Sequence, residues 1–251
     1  SDGLPTFHFA HAIDDHFMGV NLVNRSDEWI PSVPLHLQLF YTLGFKAPKY
    51  AHTAPMMKLD GDSRRKLSKR KDPEAAVTYY DEQGIPVQSV KEYLYNIANS
   101  SFEDWRRQNI DKPLNEFPFQ FNKMSTSGAL FDGAKLTDIS KNVISRMSAK
   151  EVYDLGLNWA KQYDVELANL MEKYPEYTVN LLNIESTGKK VRKDIAKWSD
   201  LRQTLEYMYD EVFFEKDFEY EYQTINEKED INNIIDQLLI LLILKLSITL
   251  S

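Results

Sequence analysis

The residues best suited to chemistry lie together at Lys66-Leu67-Ser68-Lys69-Arg70. Two lysines flanking a serine on a flexible loop can set ammonium groups and a hydroxyl against a triphosphate, offsetting charge that develops as pyrophosphate leaves. Gly61, Asp62 and Ser63 just upstream break any helical repeat, so an amphipathic helix is a poor account of the run. The surrounding stretch, Lys58 to Lys71, packs seven Lys/Arg against two Asp with little hydrophobic periodicity, and this predicts an exposed basic loop. Runs of that kind are commonly solvated faces, so the context has to decide. Three histidines, His8, His11 and His16, fall within nine residues and raise the question of a metal. On a strand, positions three apart point to opposite faces, and on that reading no metal is expected.

The elements that must position these residues follow from the patterning. Thr6 to Ile13 and Gly19 to Asn24 are short β-prone runs separated by the polar Asp14-Asp15-His16, and they predict strands. Pro34 to Leu43 has helical spacing, with Leu35, Leu39 and Leu43 at i, i+4 and i+8, and Gly44 stands where a helix would stop. Tyr50 to Met57 is a third β-prone run leading into the basic loop. Strand, helix, strand, loop is the order of the second half of an open α/β sheet whose loops gather at the strand C-termini.

Beyond the loop the character is helical. Asp72-Pro73-Glu74 predicts a helix start, with Asp72 as cap and Pro73 in the first turn. Ser89 to Asn99 and a segment opening at Ser101 follow, and Ser148-Ala149-Lys150-Glu151 is a capping box before an amphipathic run to about Gln162. Pro113 to Pro118 and Gly128 to Asp132 read as connections. Boundaries fall near residues 72 and 146. Ile231 to Leu250 is strongly apolar but interrupted by Asp236 and Lys245, which predicts a packing helix and no membrane anchor.

With 251 residues, 43% of them apolar, the chain is long enough to bury a core. It has no cysteine, which excludes disulfides, thiolate metal sites and thiol nucleophiles. The formal charge of -8 excludes indiscriminate coating of nucleic acid or anionic membrane, so any RNA contact must be local. The N-terminal stretch lacks the pattern of a secretion signal, and a cytoplasmic location is expected.

Three runs give the phosphate-loop reading its context. Ser1-Asp2-Gly3-Leu4-Pro5-Thr6-Phe7-His8, Asp14-Asp15-His16-Phe17-Met18-Gly19 and Arg25-Ser26-Asp27-Glu28-Trp29 resemble, in order and in spacing to the Lys66–Arg70 loop, the bacterial glutamyl-tRNA synthetase pattern. Gly128-Ala129-Leu130-Phe131-Asp132 and the Lys190 to Trp198 stretch resemble that family's stem-contacting and anticodon-side helical regions. The likeness runs to about residue 222. It implies the second half of a Rossmann-like catalytic domain (1–72) followed by an all-α region, made of a stem-contact domain (73–146) and a partial anticodon-binding domain (147–223), with an apolar tail (224–251).

The resemblance also implies roles. Phe7, His11 and Arg25 would line the glutamate pocket, Arg25 by holding a carboxylate in its guanidinium fork. Glu28, Trp29, Leu67, Lys69 and Arg70 would line the ATP site, with Lys66, Ser68 and Lys69 carrying the catalytic charge. Lys190, Arg192 and Lys193 would touch tRNA. Phe7 replaces the family's usual tyrosine and removes one hydroxyl from the pocket. The implied substrates are glutamate, ATP with Mg2+ and tRNA(Glu). The protein would act as a monomer, with no membrane partner and no protein-bound metal in this portion. The family's H-I-G-H signature is not in the sequence, and the chain alone is expected to be inactive. A non-catalytic tRNA-binding or protein-docking module is an alternative. Glutaminyl specificity is another, disfavoured because a β-rich C-terminal part would then be expected.

Overall fold

The computed structural model describes residues 3–188, 191–213 and 233–238. The chain divides into two units, Ser1–Glu206 and Tyr207–Ser251. The first opens with helix α1 (Phe7–Phe17), strand β1 (Leu22–Ser26), a 3-10 turn (Asp27–Ser32), helix α2 (Val33–Thr42) and strand β2 (Lys49–Thr53). The two strands pair in parallel, with Val23 opposite Tyr50 and Arg25 opposite His52. A parallel pair needs a crossover, and here α2 supplies it.

The first predicted strand is therefore wrong, because Phe7 to Ile13 is helical and only Thr6 before it is extended. Its alternation of aromatic and small residues imitates a period of two, yet only Thr6 and Ile13, at its two ends, are β-branched. The helical repeat brings Phe7, His11 and Asp15 onto one face, and the polar Asp14-Asp15-His16 continues the helix instead of ending it. Gly19, at φ 69°, ends it, while the Val20 N–H donates to the Asp15 carbonyl at 2.9 Å. Gly44 ends α2 in the same manner, as its position predicted. The buried face of α2 is shifted by one residue from the leucine stripe: His36 and Phe40 are buried, while Leu35 is 44% exposed.

The basic stretch is half ordered. Strands β3 (Met57–Asp60) and β4 (Ser63–Lys66) form an antiparallel hairpin turning at Gly61-Asp62, and only residues 67–71 are loop. Leu130 adds a parallel bridge beside Met57, so the predicted connection around it also serves as a strap across the hairpin.

A helical body follows. A 3-10 turn at Pro73–Ala75 leads into α3 (Val77–Glu82), α4 (Val87–Ala98) and α5 (Phe102–Gln108). Next come α6 (Gly133–Ile144), α7 (Ala149–Tyr163), α8 (Val165–Lys173), α9 (Pro175–Asn183) and α10 (Asp200–Leu205). Phe102, Leu114 and Phe117 form a small aromatic core with Tyr95 and Trp105 against it. Leu167, Met171, Leu201 and Leu205 are buried farther along. Glu92, 4% exposed, lies between α4 and its neighbours and accepts from Arg106 at 3.1 Å and Arg146 at 2.8 Å. Of the Lys190 to Trp198 stretch, the described residues 191–198 are irregular and not helical, because Asp194 turns back on Arg192 and the Asp200 carboxylate accepts from the Ala196 and Lys197 amides.

The predicted capping box is present: Ser148 Oγ accepts from the Glu151 amide at 3.2 Å and the Glu151 carboxylate accepts from the Ser148 amide at 2.8 Å. Ser148→Ala is expected to cost about 1 kcal/mol and to lower the melting temperature by roughly 2–4 °C, measured by thermal denaturation.

The second unit contains a short helix, Asp210–Phe213, and helical residues 233–238. Most of the apolar tail lies outside the described residues. Among the described residues no helix is long and apolar enough to cross a membrane.

Candidate functional site

Four elements converge on one polar cluster with His11 and His36 buried at its centre. Helix α1 presents Phe7, His8, His11 and Asp15, α2 presents His36, β1 presents Arg25, and β2 presents Tyr50. The Arg25 guanidinium lies 5.0 Å from the Phe7 ring centroid and 5.1 Å from that of Trp29. Stacking against two ring faces fixes the plane of its fork. His11 Nδ1 lies 2.6 Å from an Asp15 carboxylate oxygen, one helical turn on, and His11 Nε2 lies 3.1 Å from the Tyr50 hydroxyl. His8 Nδ1 and His36 Nε2 are 2.8 Å apart, so one nitrogen donates and the other accepts.

The premise that His8 and His11 point apart is corrected here: on a helix, a spacing of three puts them on neighbouring positions of one face. Both meet His36. Among the described residues no group of three or more His, Asp or Glu is arranged to hold a metal ion.

The cluster's electrostatics suit an anion better than a cation. Burial, with the charge of Arg25 beside it, lowers the pKa of His11, although Asp15 opposes the shift. Burial above all, then His11 and Arg25, pushes His36 down to about 4. Burial likewise raises the Tyr50 hydroxyl. His36 is thus neutral in the folded protein and protonates readily only when unfolded, near 6.5. Its contribution to stability is full above about 6.5 and is lost as the pH falls from there toward 4. The melting temperature is accordingly expected to drop by roughly 4–7 °C between pH 7 and pH 5. His36→Phe should flatten that limb, as calorimetry at a series of pH values would show.

The phosphate-loop candidates sit next to this cluster. Lys66, the last residue of β4, donates to Glu28 at 2.8 Å, and Glu28 adjoins Trp29 in the 3-10 turn just after Arg25. The ion pair joins the basic loop to the Arg25 pocket. Asp72, 2% exposed, anchors the loop from below. It accepts from Arg65 Nη1 at 2.6 Å and Nη2 at 2.7 Å and from the Ser68 amide at 2.8 Å, and Lys58 stands 3.2 Å away. The Arg65 guanidinium holds its carboxyl well below the usual range, with the Ser68 amide and Lys58 acting the same way. Asp72 makes no side-chain cap to the helix it precedes, so its predicted capping role is replaced by this clamp.

Of the remaining candidates, Lys69 and Arg70 are exposed, and neither side chain makes a hydrogen bond or ion pair among the described residues. Lys66, Leu67 and Lys69 line one wall of a cleft of about 560 Å3, with Val77, Val87 and Leu94 opposite. Arg192 is engaged with Asp194, and Lys193 donates to Asn142 at 2.7 Å. Lys190 lies outside the described residues. Sequence reading overlooked His36, Tyr50, His52 and the clamping role of Asp72, and weighed His8 only as a metal ligand. A polar residue recurring on an otherwise apolar face, as with His36 among leucines, was the one available signal.

A family model described as the catalytic domain of class I tRNA synthetases for E and Q matches residues 1–138. A glutamate–tRNA ligase of Sorangium cellulosum is 55% identical over 227 residues, covering 85% of this chain and 40% of the relative. One of Clostridium perfringens is 54% identical over 212 residues, covering 84% and 39%. The chain thus spans about two fifths of the length of these curated relatives. A crystal structure of a glutamate tRNA ligase from Elizabethkingia meningosepticum, in complex with its amino acid, superposes with a TM-score of 0.61 at 21% identity. It covers 90% of this chain and 43% of that one, and it establishes likeness of fold. Over half of the sequence is matched by one family, and the chain belongs to the class I tRNA synthetases of the glutamate and glutamine type.

Proposed function

We propose that this chain is part of a glutamate–tRNA ligase. Residues 1–72 supply the second half of a Rossmann-like catalytic domain, 73–146 a stem-contact domain and 147–223 part of an anticodon-binding domain. Residues 224–251 form an apolar tail. In this reading a glutamate carboxylate oxygen attacks the α-phosphorus of ATP, pyrophosphate leaves, and the acyl group then passes to a terminal ribose hydroxyl of tRNA(Glu) as AMP departs. Arg25 holds a carboxylate of glutamate, with Phe7 and His11 shaping the pocket. Glu28, Trp29 and Leu67 border the nucleotide. Lys66, Ser68, Lys69 and Arg70 face its phosphates, where fixed positive charge lowers the barrier to loss of pyrophosphate. Mg2+ arrives with ATP and supplies further charge neutralisation. Lys190, Arg192 and Lys193 contribute phosphate contacts, which position an RNA without reading its sequence. A monomer in the cytoplasm completes the reading.

The observation that carries the proposal is the Lys66–Glu28 ion pair at 2.8 Å, which sets a phosphate-type loop directly beside a carboxylate-type pocket. The helical body supports glutamate over glutamine, because α7, α8 and α9 stand where a β-rich part would be expected. The test is a chimera in which this chain replaces the matching segment of the Sorangium cellulosum ligase. It is expected to catalyse tRNA-dependent pyrophosphate exchange with glutamate and not with glutamine. A folded chimera that exchanges with neither amino acid, or with glutamine alone, would defeat the proposal.

A further inference from the structure

Two nitrogens in the cluster have no partner. Arg25 Nη1 and His52 Nε2 are both buried and make no hydrogen bond among the described residues. They belong to register partners on β1 and β2. Partners on paired parallel strands project to the same face, about 4.8 Å apart, so both side chains address the side on which α1 packs. Of the other polar groups, His11 Nε2 meets the Tyr50 hydroxyl and His8 meets His36, while Asp15 Oδ2 stands 2.6 Å from His11 Nδ1 without a hydrogen bond among the described residues. The Arg25 fork is held between Phe7 and Trp29 and cannot swing out to solvent without losing both rings.

Buried polar atoms left unmatched are costly, on the order of 1–3 kcal/mol each, and are uncommon in native structures. Two on one face at one register position set what a partner group would have to offer. The missing group must accept from a guanidinium N–H and reach a second nitrogen one strand away. A carboxylate does both, one oxygen accepting from Arg25 Nη1 and the other from His52 Nε2–H. A neutral single oxygen could accept from both but would lack the charge that matches the guanidinium.

Resting on the reading of this pocket as the glutamate site, we propose that His52 is a further substrate-contacting residue, sharing with Arg25 the recognition of one glutamate carboxylate. The tautomer bearing hydrogen on Nε2 is the one the pocket requires.

The experiment is a titration of the 251-residue chain with L-glutamate by calorimetry, with the His52 imidazole followed by nitrogen-15 NMR. The expected results are a shift of the His52 Nε2 resonance on binding and, in His52→Phe, a loss of affinity of about ten- to hundredfold. His52→Gln, whose amide can donate from a similar position, should recover most of that loss. Two analogues locate the contact. 2-Aminobutyrate lacks the side-chain carboxylate and 4-aminobutyrate lacks the α-carboxylate, and the penalty of His52→Phe should vanish for one of them. A penalty equal for glutamate and both analogues means a purely structural role and overturns the proposal, as does a glutamate-bound chain whose His52 signal does not move. That signal decides the matter even where a variant fails to fold. If the unaltered chain shows no binding of glutamate at millimolar concentration, the glutamate reading itself falls and the proposal with it. If it binds and His52→Phe binds equally well, only the proposal falls.

Discussion

Replacing Lys69 with alanine lowers the rate of glutamate-dependent pyrophosphate exchange in the chimera by about a hundredfold, the size expected when one preorganised charge is removed from a developing anion. The expectation comes from the contrast between the two lysines of the loop. Lys66 is engaged by Glu28, and about half of each partner's side chain is exposed, so the pair itself contributes little to stability. Its geometric effect is to hold the end of β4 against the turn that carries Trp29. Lys69 and Arg70 lie beyond that anchor, exposed and without side-chain partners among the described residues. An ammonium that is not neutralised at home retains its full charge for a phosphate. Lys66→Ala should therefore cost less than Lys69→Ala, roughly tenfold, and Lys69→Arg should keep part of the rate because charge survives while the point geometry of the ammonium does not. An exchange rate within about twofold of the parent for Lys69→Ala would mean that the loop does not meet the nucleotide.

Local signals were legible in the sequence and non-local ones were not. The Ser148–Glu151 box, the glycine stop after α2 and the run of α4 rest on interactions spanning three or four residues, so their residues are visible together in the chain. Thr6 to Ile13 deceived because alternating aromatic and small residues satisfy a period of two as well as one of 3.6, and the packing of His11 on α2 and β2 decided between them. The hairpin at Gly61-Asp62 hid inside a basic run, since charge dominates its composition and strands β3 and β4 have almost no apolar face. Lys66 was singled out by the charge of its loop and Arg25, Glu28 and Trp29 through resemblance, and the structure brings them together. His36 and His52 stand 25 and 41 residues from the α1 histidine His11, and nothing in their immediate neighbours marks them as its companions. Their meaning depends on a parallel register that only the folded chain fixes.

The same non-local logic makes Asp72 the residue whose loss should be felt most in the loop. Its buried carboxylate accepts from Arg65, Lys58 and the Ser68 amide, so removing it leaves the Ser68 amide and the Arg65 fork without that acceptor, although Asp60 still pairs with Arg65 and Glu74 with Lys58. Breaking a buried pair in this one-sided way is far more harmful than losing an exposed one. Asp72→Ala is expected to lower the melting temperature by on the order of 10 °C and to reduce exchange at least tenfold, because the Ser68 amide then no longer fixes the loop behind Lys69. Asp72→Asn should retain an acceptor for the Ser68 amide while losing the charge, and should fall between Asp72→Ala and the parent on both measures. The pH dependence separates this clamp from the histidine cluster. Since the folded pKa of Asp72 is depressed, its contribution is full above the unfolded value near 3.9 and is lost only as the pH falls below it, toward the folded value. Acid titration of the parent should thus show two limbs, one between about pH 6.5 and 4 from His36 and a second below about pH 4 from Asp72. His36→Phe should erase the first alone and Asp72→Asn should weaken the second alone. If Asp72→Asn instead flattened the upper limb, the two sites would be energetically coupled, and the separation of clamp from pocket argued from their contacts would be wrong.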